Sequence, residues 1–163
     1  MRSALVVALT CWFVACAGNL DTAQERFTRQ AWEEARGFTR TDASGRVLEE
    51  DPEDWRTAPI VAGLLLFHPP YPNPTRGEDL FLPVEVLAFE RFPTSIEGWA
   101  RDLEGRPVRL FRRELEGPGV YTVRFSLALL SPNRNWNSLR GLHRIRVLDL
   151  QGQVLTYGDV KAE

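Results

Sequence analysis

Cysteine occurs only at positions 11 and 16 of the 163 residues, so everything downstream lacks the means for a disulfide, a thiolate metal site or a cysteine nucleophile. A domain built from that remainder must be held by an ordinary packed core. Histidine is nearly as scarce. His68 and His143 are the only two, without H-E-x-x-H spacing, and a zinc site would need carboxylates from unrelated segments. No metal or other cofactor is expected. Lysine appears once, at position 161, and the formal net charge of −2 offers no basic excess for a nucleic-acid partner. Also missing are a G-x-S-x-G elbow, a P-loop and a dinucleotide fingerprint, so no enzymatic activity is expected. A small envelope hydrolase would have to rely on two carboxylates meeting in one cleft, one of them with a raised pKa, and sequence does not reveal such pairing.

What is present begins with Met1 to Gly18. Arg2 gives a short positive n-region, and Ala4 to Val14 form an apolar run far short of the roughly 20 residues that span a bilayer, the layout of an export signal. The run ends in Phe13-Val14-Ala15-Cys16, two apolar residues and a small one before a Cys. This resembles the lipobox of bacterial lipoproteins. The resemblance implies that residues 1–15 are a signal peptide and that Cys16 becomes the lipidated first residue, anchoring the protein to a membrane. Ala17 after it, in place of Asp, implies sorting to the outer membrane, with the display face left open. Ala15-Cys16-Ala17 also fits the A-x-A pattern of plain secretory cleavage, which would start the mature chain at Gly18. Arg2 is the only charge in 1–15, so cleavage takes the formal net charge from −2 to −3.

Residues 16–58 read as a tether carrying a short helix. Within Asn19 to Arg36, Thr22 and Glu25 have capping-box spacing, Phe27, Ala31 and Ala35 share a face, and Gly37 would end the helix. The acidic stretch from Glu49 to Asp54 lacks the ligand spacing of a calcium loop and reads as a solvated linker.

From 59 to 163 the pattern is all-β. Ile60 to Phe67 is a short apolar run read as a buried strand, and Leu80 to Val86 follows as another, placed at a sheet edge by Pro83. Between them a proline-dense stretch from His68 to Gly77 reads as a stiff lead-in. Asp42-Ala-Ser-Gly45, Asp102-Leu-Glu-Gly105 and Asp149-Leu-Gln-Gly152 repeat one turn signature, in which Asp accepts from the turn backbone and Gly supplies φ > 0. Alternating strands flank the last two turns, and Val120 to Phe125 adds another after Gly117-Pro-Gly119. The sum is an antiparallel β-sandwich.

Tyr71-Pro72-Asn73-Pro74-Thr75-Arg76-Gly77, the strand-Asp-x-x-Gly-strand hairpins and Gly119-Val120-Tyr121 together resemble the immunoglobulin-like modules of type IX secretion sorting domains and flagellar hook-capping proteins. The resemblance implies an immunoglobulin-like sandwich forming the body of the protein. Trp136, in the polar loop Ser131 to Gly141 with Arg134 and Arg140, is the aromatic best placed for an exposed contact, joined by Arg144 and Arg146 on one side of the following strand. Trp99 alternates with apolar neighbours and reads as core. The function expected is a non-enzymatic envelope lipoprotein that serves as a structural or protein-binding subunit. A carbohydrate-binding surface lipoprotein is the alternative.

Overall fold

The computed structural model describes residues 20–88, 92–133 and 135–163. Cys16, the signal segment and Arg134 lie outside them. No helix among the described residues is long and apolar enough to cross a membrane.

The first element, α1 (20–31), buries Phe27 and Ala31, the face expected from their spacing. Its bounds differ from the expectation. The helix is already running at Leu20, so Thr22 lies inside it, and it ends at Ala31 instead of near Gly37. The amides of Trp32 and Glu33 bond back to the carbonyls of Arg29 and Gln30, tightening the last turn. A small hairpin follows, β1 (Arg40–Thr41) and β2 (Val47–Glu49).

Seven strands make the sandwich: β3 (Leu65–Phe67), β4 (Leu80–Val86), β5 (Ser95–Arg101), β6 (Pro107–Glu114), β7 (Gly119–Phe125), β8 (Gly141–Asp149) and β9 (Val154–Ala162). One sheet has the order β3-β4-β7, the other β6-β5-β8-β9, and every ladder is antiparallel. Numbered as the first to seventh strands of an immunoglobulin-like sandwich, they fall into its usual two sheets, with the fourth strand joined to the second sheet. Leu80, Leu82, Val84 and Val86 of β4 point inward and are nearly or wholly buried. They pack in one core with residues including Ile96, Val123, Ile145 and Val147.

Two expectations fail here for identifiable reasons. Leu80 to Val86 is a central strand, not an edge. Pro83 is tolerated because its missing donor would face the side where β3 has already ended at Phe67; the Pro83 carbonyl on that side accepts from the amide of His68 at 3.1 Å. Of Ile60 to Phe67, only the last three residues form a strand. Pro59–Val61 is a 3-10 turn and Gly63 has φ +78°, so the run is bent before it can pair.

The three Asp-x-x-Gly turns are the same device, as their spacing indicates. In each, the carboxylate Oδ1 of Asp42, Asp102 or Asp149 accepts from the amides two and four residues on at 2.8 to 3.1 Å. Gly45, Gly105 and Gly152 take φ between +81° and +86°.

The segment before residue 59 is folded against the sandwich, apart from the exposed tip of the β1–β2 hairpin and β2. Strand β9 is buried along nearly all of it because both its faces and its outer edge are covered. Phe27 of α1 meets Tyr157 with ring centroids 5.0 Å apart. The amides of Trp55 and Ala58 bond the carbonyls of Tyr157 and Leu155 at 2.8 Å. Trp55 lies on Gly158, where a Cβ would come within 2.3 Å of the indole. The proline-dense lead-in supplies the remaining cover through Asn73, which is fully buried. Its Nδ2 donates to the carbonyls of Thr39 and Asp159, and its Oδ1 accepts from the amide of Lys161. One side chain thereby joins β9, the lead-in and the segment entering β1.

Candidate functional site

The residues singled out from sequence separate into two groups. Trp136 sits on a 3-10 turn, Trp136–Leu139, and is half-buried. Its indole N–H donates to the Glu163 carbonyl at 2.9 Å, and its ring packs on the core and lies over Gly77. Arg140, just beyond, is exposed. The structure does not bring this pair together with Arg144 and Arg146, which are engaged elsewhere.

Arg144 and Arg146 project from the outer face of the four-stranded sheet and close the C-terminal end of α1. Arg146 Nε donates to the Ala31 carbonyl at 2.7 Å, and Arg144 Nη1 donates to the Gln30 carbonyl at 3.0 Å. Arg146 meets a carbonyl at the end of the helix, Arg144 adds a second donor to the Gln30 carbonyl that already accepts the Glu33 amide, and the positive charge suits the negative end of the helix dipole. Arg146 is 5% exposed, and burial, followed by the nearby charges of Arg101 and Arg144, brings its pKa down to about 10. For Arg144, burial pulls downward too, but its hydrogen bonds and charge pairing with Asp159 outweigh that and raise it.

Arg146 also belongs to a row that crosses the sheet in register. Arg109 on β6 faces Trp99 on β5, Trp99 faces Arg146 on β8, and Arg146 faces Tyr157 on β9. Guanidinium and aromatic groups alternate along it. Arg109 lies 5.9 Å from the Trp99 ring centre, and Arg146 lies 4.3 Å from that of Trp32, which leans over the row from the end of α1. Trp32 is 53% exposed. Trp99 is half-buried on the outer face, contrary to the core position expected from its apolar neighbours. Its indole N–H donates to Glu97 Oε2 at 3.1 Å, and Glu97 in turn pairs with Arg109 at 2.9 Å. Between the two indoles runs a mainly apolar groove of about 340 Å³, lined further by Arg101, Pro107, Arg146 and Leu148. Trp32 separates it from a more polar cleft of about 550 Å³ reaching Glu33, His143 and Arg144.

A third cleft, of about 400 Å³, lies behind α1 and contains Asp54 and Asp159. The acidic stretch is therefore only partly solvated: Glu49, Glu50 and Glu53 are exposed, while Asp54 turns inward. Burial, reinforced by the charges of Asp159 and Asp51, lifts Asp54 to about 7 against the pull of two backbone donors. This is the convergence that a carboxylate-pair hydrolase requires. Both carboxylates, however, already hold backbone or guanidinium donors of the protein on each oxygen. Asp54 accepts from the amides of Thr39 and Asp159 at 2.9 and 2.6 Å. Asp159 accepts from Arg144 through both oxygens and from the amide of Arg36 at 3.1 Å. The cluster fastens residues 36–54 to β8 and β9.

Among the described residues no group of three or more His, Cys, Asp or Glu is arranged to hold a metal ion. Comparison with protein families, with characterised proteins and with solved structures finds no match for this chain. Sequence reasoning missed the Trp32–Trp99 groove because its parts lie just after α1 and on β5, β6 and β8. The available signal was the pair Trp99 and Arg146, each in a strand flanking one of the Asp-x-x-Gly turns.

Proposed function

We propose that this protein is a non-enzymatic envelope lipoprotein, anchored through Cys16 at the outer membrane, that binds a protein partner through the Trp32–Trp99 groove. The observation that carries the binding surface is the exposed Trp32 held over Arg146 with Trp99 beyond it. Trp and Arg dominate the energetics of protein interfaces, and a rigid indole loses little entropy on contact. Photo-crosslinking from position 32 in membranes should give one discrete adduct, which disappears when Trp99 is replaced by Ala. A smear unaffected by Trp99→Ala would defeat the reading. Intact mass of the detergent-extracted protein tests the anchor separately: a chain beginning at acylated Cys16, lost in Cys16→Ser, is expected.

A carbohydrate-binding reading draws on the same groove, since two indoles beside the guanidinium groups of Arg101 and Arg146 can stack on a sugar ring and bond its hydroxyls. Saturable quenching of tryptophan fluorescence by envelope polysaccharide, absent in Trp32→Ala, would favour it over a protein partner.

A further inference from the structure

The end of the sandwich opposite the Asp102–Gly105 turn has its own character. There the first turns of α1 lie against the β8–β9 turn. Gln24 bonds the Val154 carbonyl at 3.0 Å through Nε2 and accepts from the Ile60 amide at 3.2 Å through Oε1. Large apolar side chains stand out on the α1 side of this end: Leu20 at 47% exposed, Ile60 at 36% and Leu150 at 49%. The turn that carries Leu150 also differs in charge from its two counterparts. Asp42-Ala-Ser-Gly-Arg46 and Asp102-Leu-Glu-Gly-Arg106 place an Arg after the Gly, and each Arg pairs with its Asp. Asp149-Leu-Gln-Gly-Gln153 has Gln at that position, and its one charge, Asp149, is spent on the backbone amides of Gln151 and Gln153. The geometry is shared and only the tip beside α1 has lost its flanking charges.

We propose that this end, comprising Leu20, Ile60 and Leu150, is the surface that rests on a phospholipid bilayer. The inference depends on the lipoprotein reading. Cys16 precedes Leu20 by four residues, which extended reach about 14 Å at most. Because α1 is docked by Phe27, Arg144 and Arg146, an acylated Cys16 brings the whole end down with it. The groove between Trp32 and Trp99, at the other end of α1, then faces away from the lipid.

No cysteine follows Cys16, so an introduced thiol reports a single position of the processed protein. Full-length Leu150→Cys and Leu103→Cys proteins, exported and processed, are labelled with a fluorophore and reconstituted into phosphatidylethanolamine vesicles containing spin-labelled lipid. The label at 150 should be quenched severalfold more strongly by the lipid than the label at 103, and the order should invert with aqueous iodide. Equal responses from a sample whose mass shows acylated Cys16 overturn the orientation and leave the anchor standing. An unacylated mass overturns the anchor and this inference together.

Discussion

Asp54 and Asn73 show how much of this molecule rests on single polar side chains. The Asp54 carboxyl titrates near 7 in the folded protein and near 3.8 when unfolded, so between those values the folded state binds more protons. Its contribution is complete below about pH 4 and is lost as pH rises through 7. Urea midpoints taken from pH 5 to 8 should therefore fall with rising pH, and Asp54→Asn should flatten that slope while lowering the whole curve, because its amide cannot accept from both backbone donors. For Asn73, truncation to Ala leaves one buried amide and two buried carbonyls short of a partner, a loss of about 3 kcal/mol or more in urea unfolding. Asn73→Asp should be worse at neutral pH, since a carboxylate oxygen would face the carbonyls of Thr39 and Asp159.

At the scale of elements, the helix and the turns differ in how local their causes are. An Asp and a Gly three residues apart contain everything that an Asp-x-x-Gly turn needs, which is why all three could be read directly. The apolar face of α1 was equally readable from Phe27 and Ala31. Its end was not, because the groups that close it come from β8, more than a hundred residues away. The same distance concealed the groove, and it made Arg144 and Arg146 look like a free face of a strand. Pro83 misled for a related reason: whether a missing donor matters depends on where the neighbouring strand stops. Arg146→Ala should cost about 2 kcal/mol, and hydrogen exchange should show the amides of 20–31 exchanging faster while those of β4 are less affected.

For the whole molecule, the boundary drawn at residue 59 marks a change of pattern and not a change of folding unit. Phe27, Trp55 and Ala58 belong to the same core as the strands of the sandwich. A fragment spanning 59–163 would present the outer face and edge of β9 to water, and it should be recovered insoluble or without a cooperative thermal transition, where 20–163 unfolds in one. A soluble, cooperatively melting fragment would show that the strands alone suffice.

The cover on β9 has a consequence for the order of events during synthesis. Residues 54–58 and Asn73 emerge early, yet the strand they must bond is the last of the sandwich to appear. No partial chain can close the fold, and contacts of such long sequence separation form slowly. A polypeptide with this wiring stays open until its final strand is available, the condition in which a chain can still be threaded through a narrow pore.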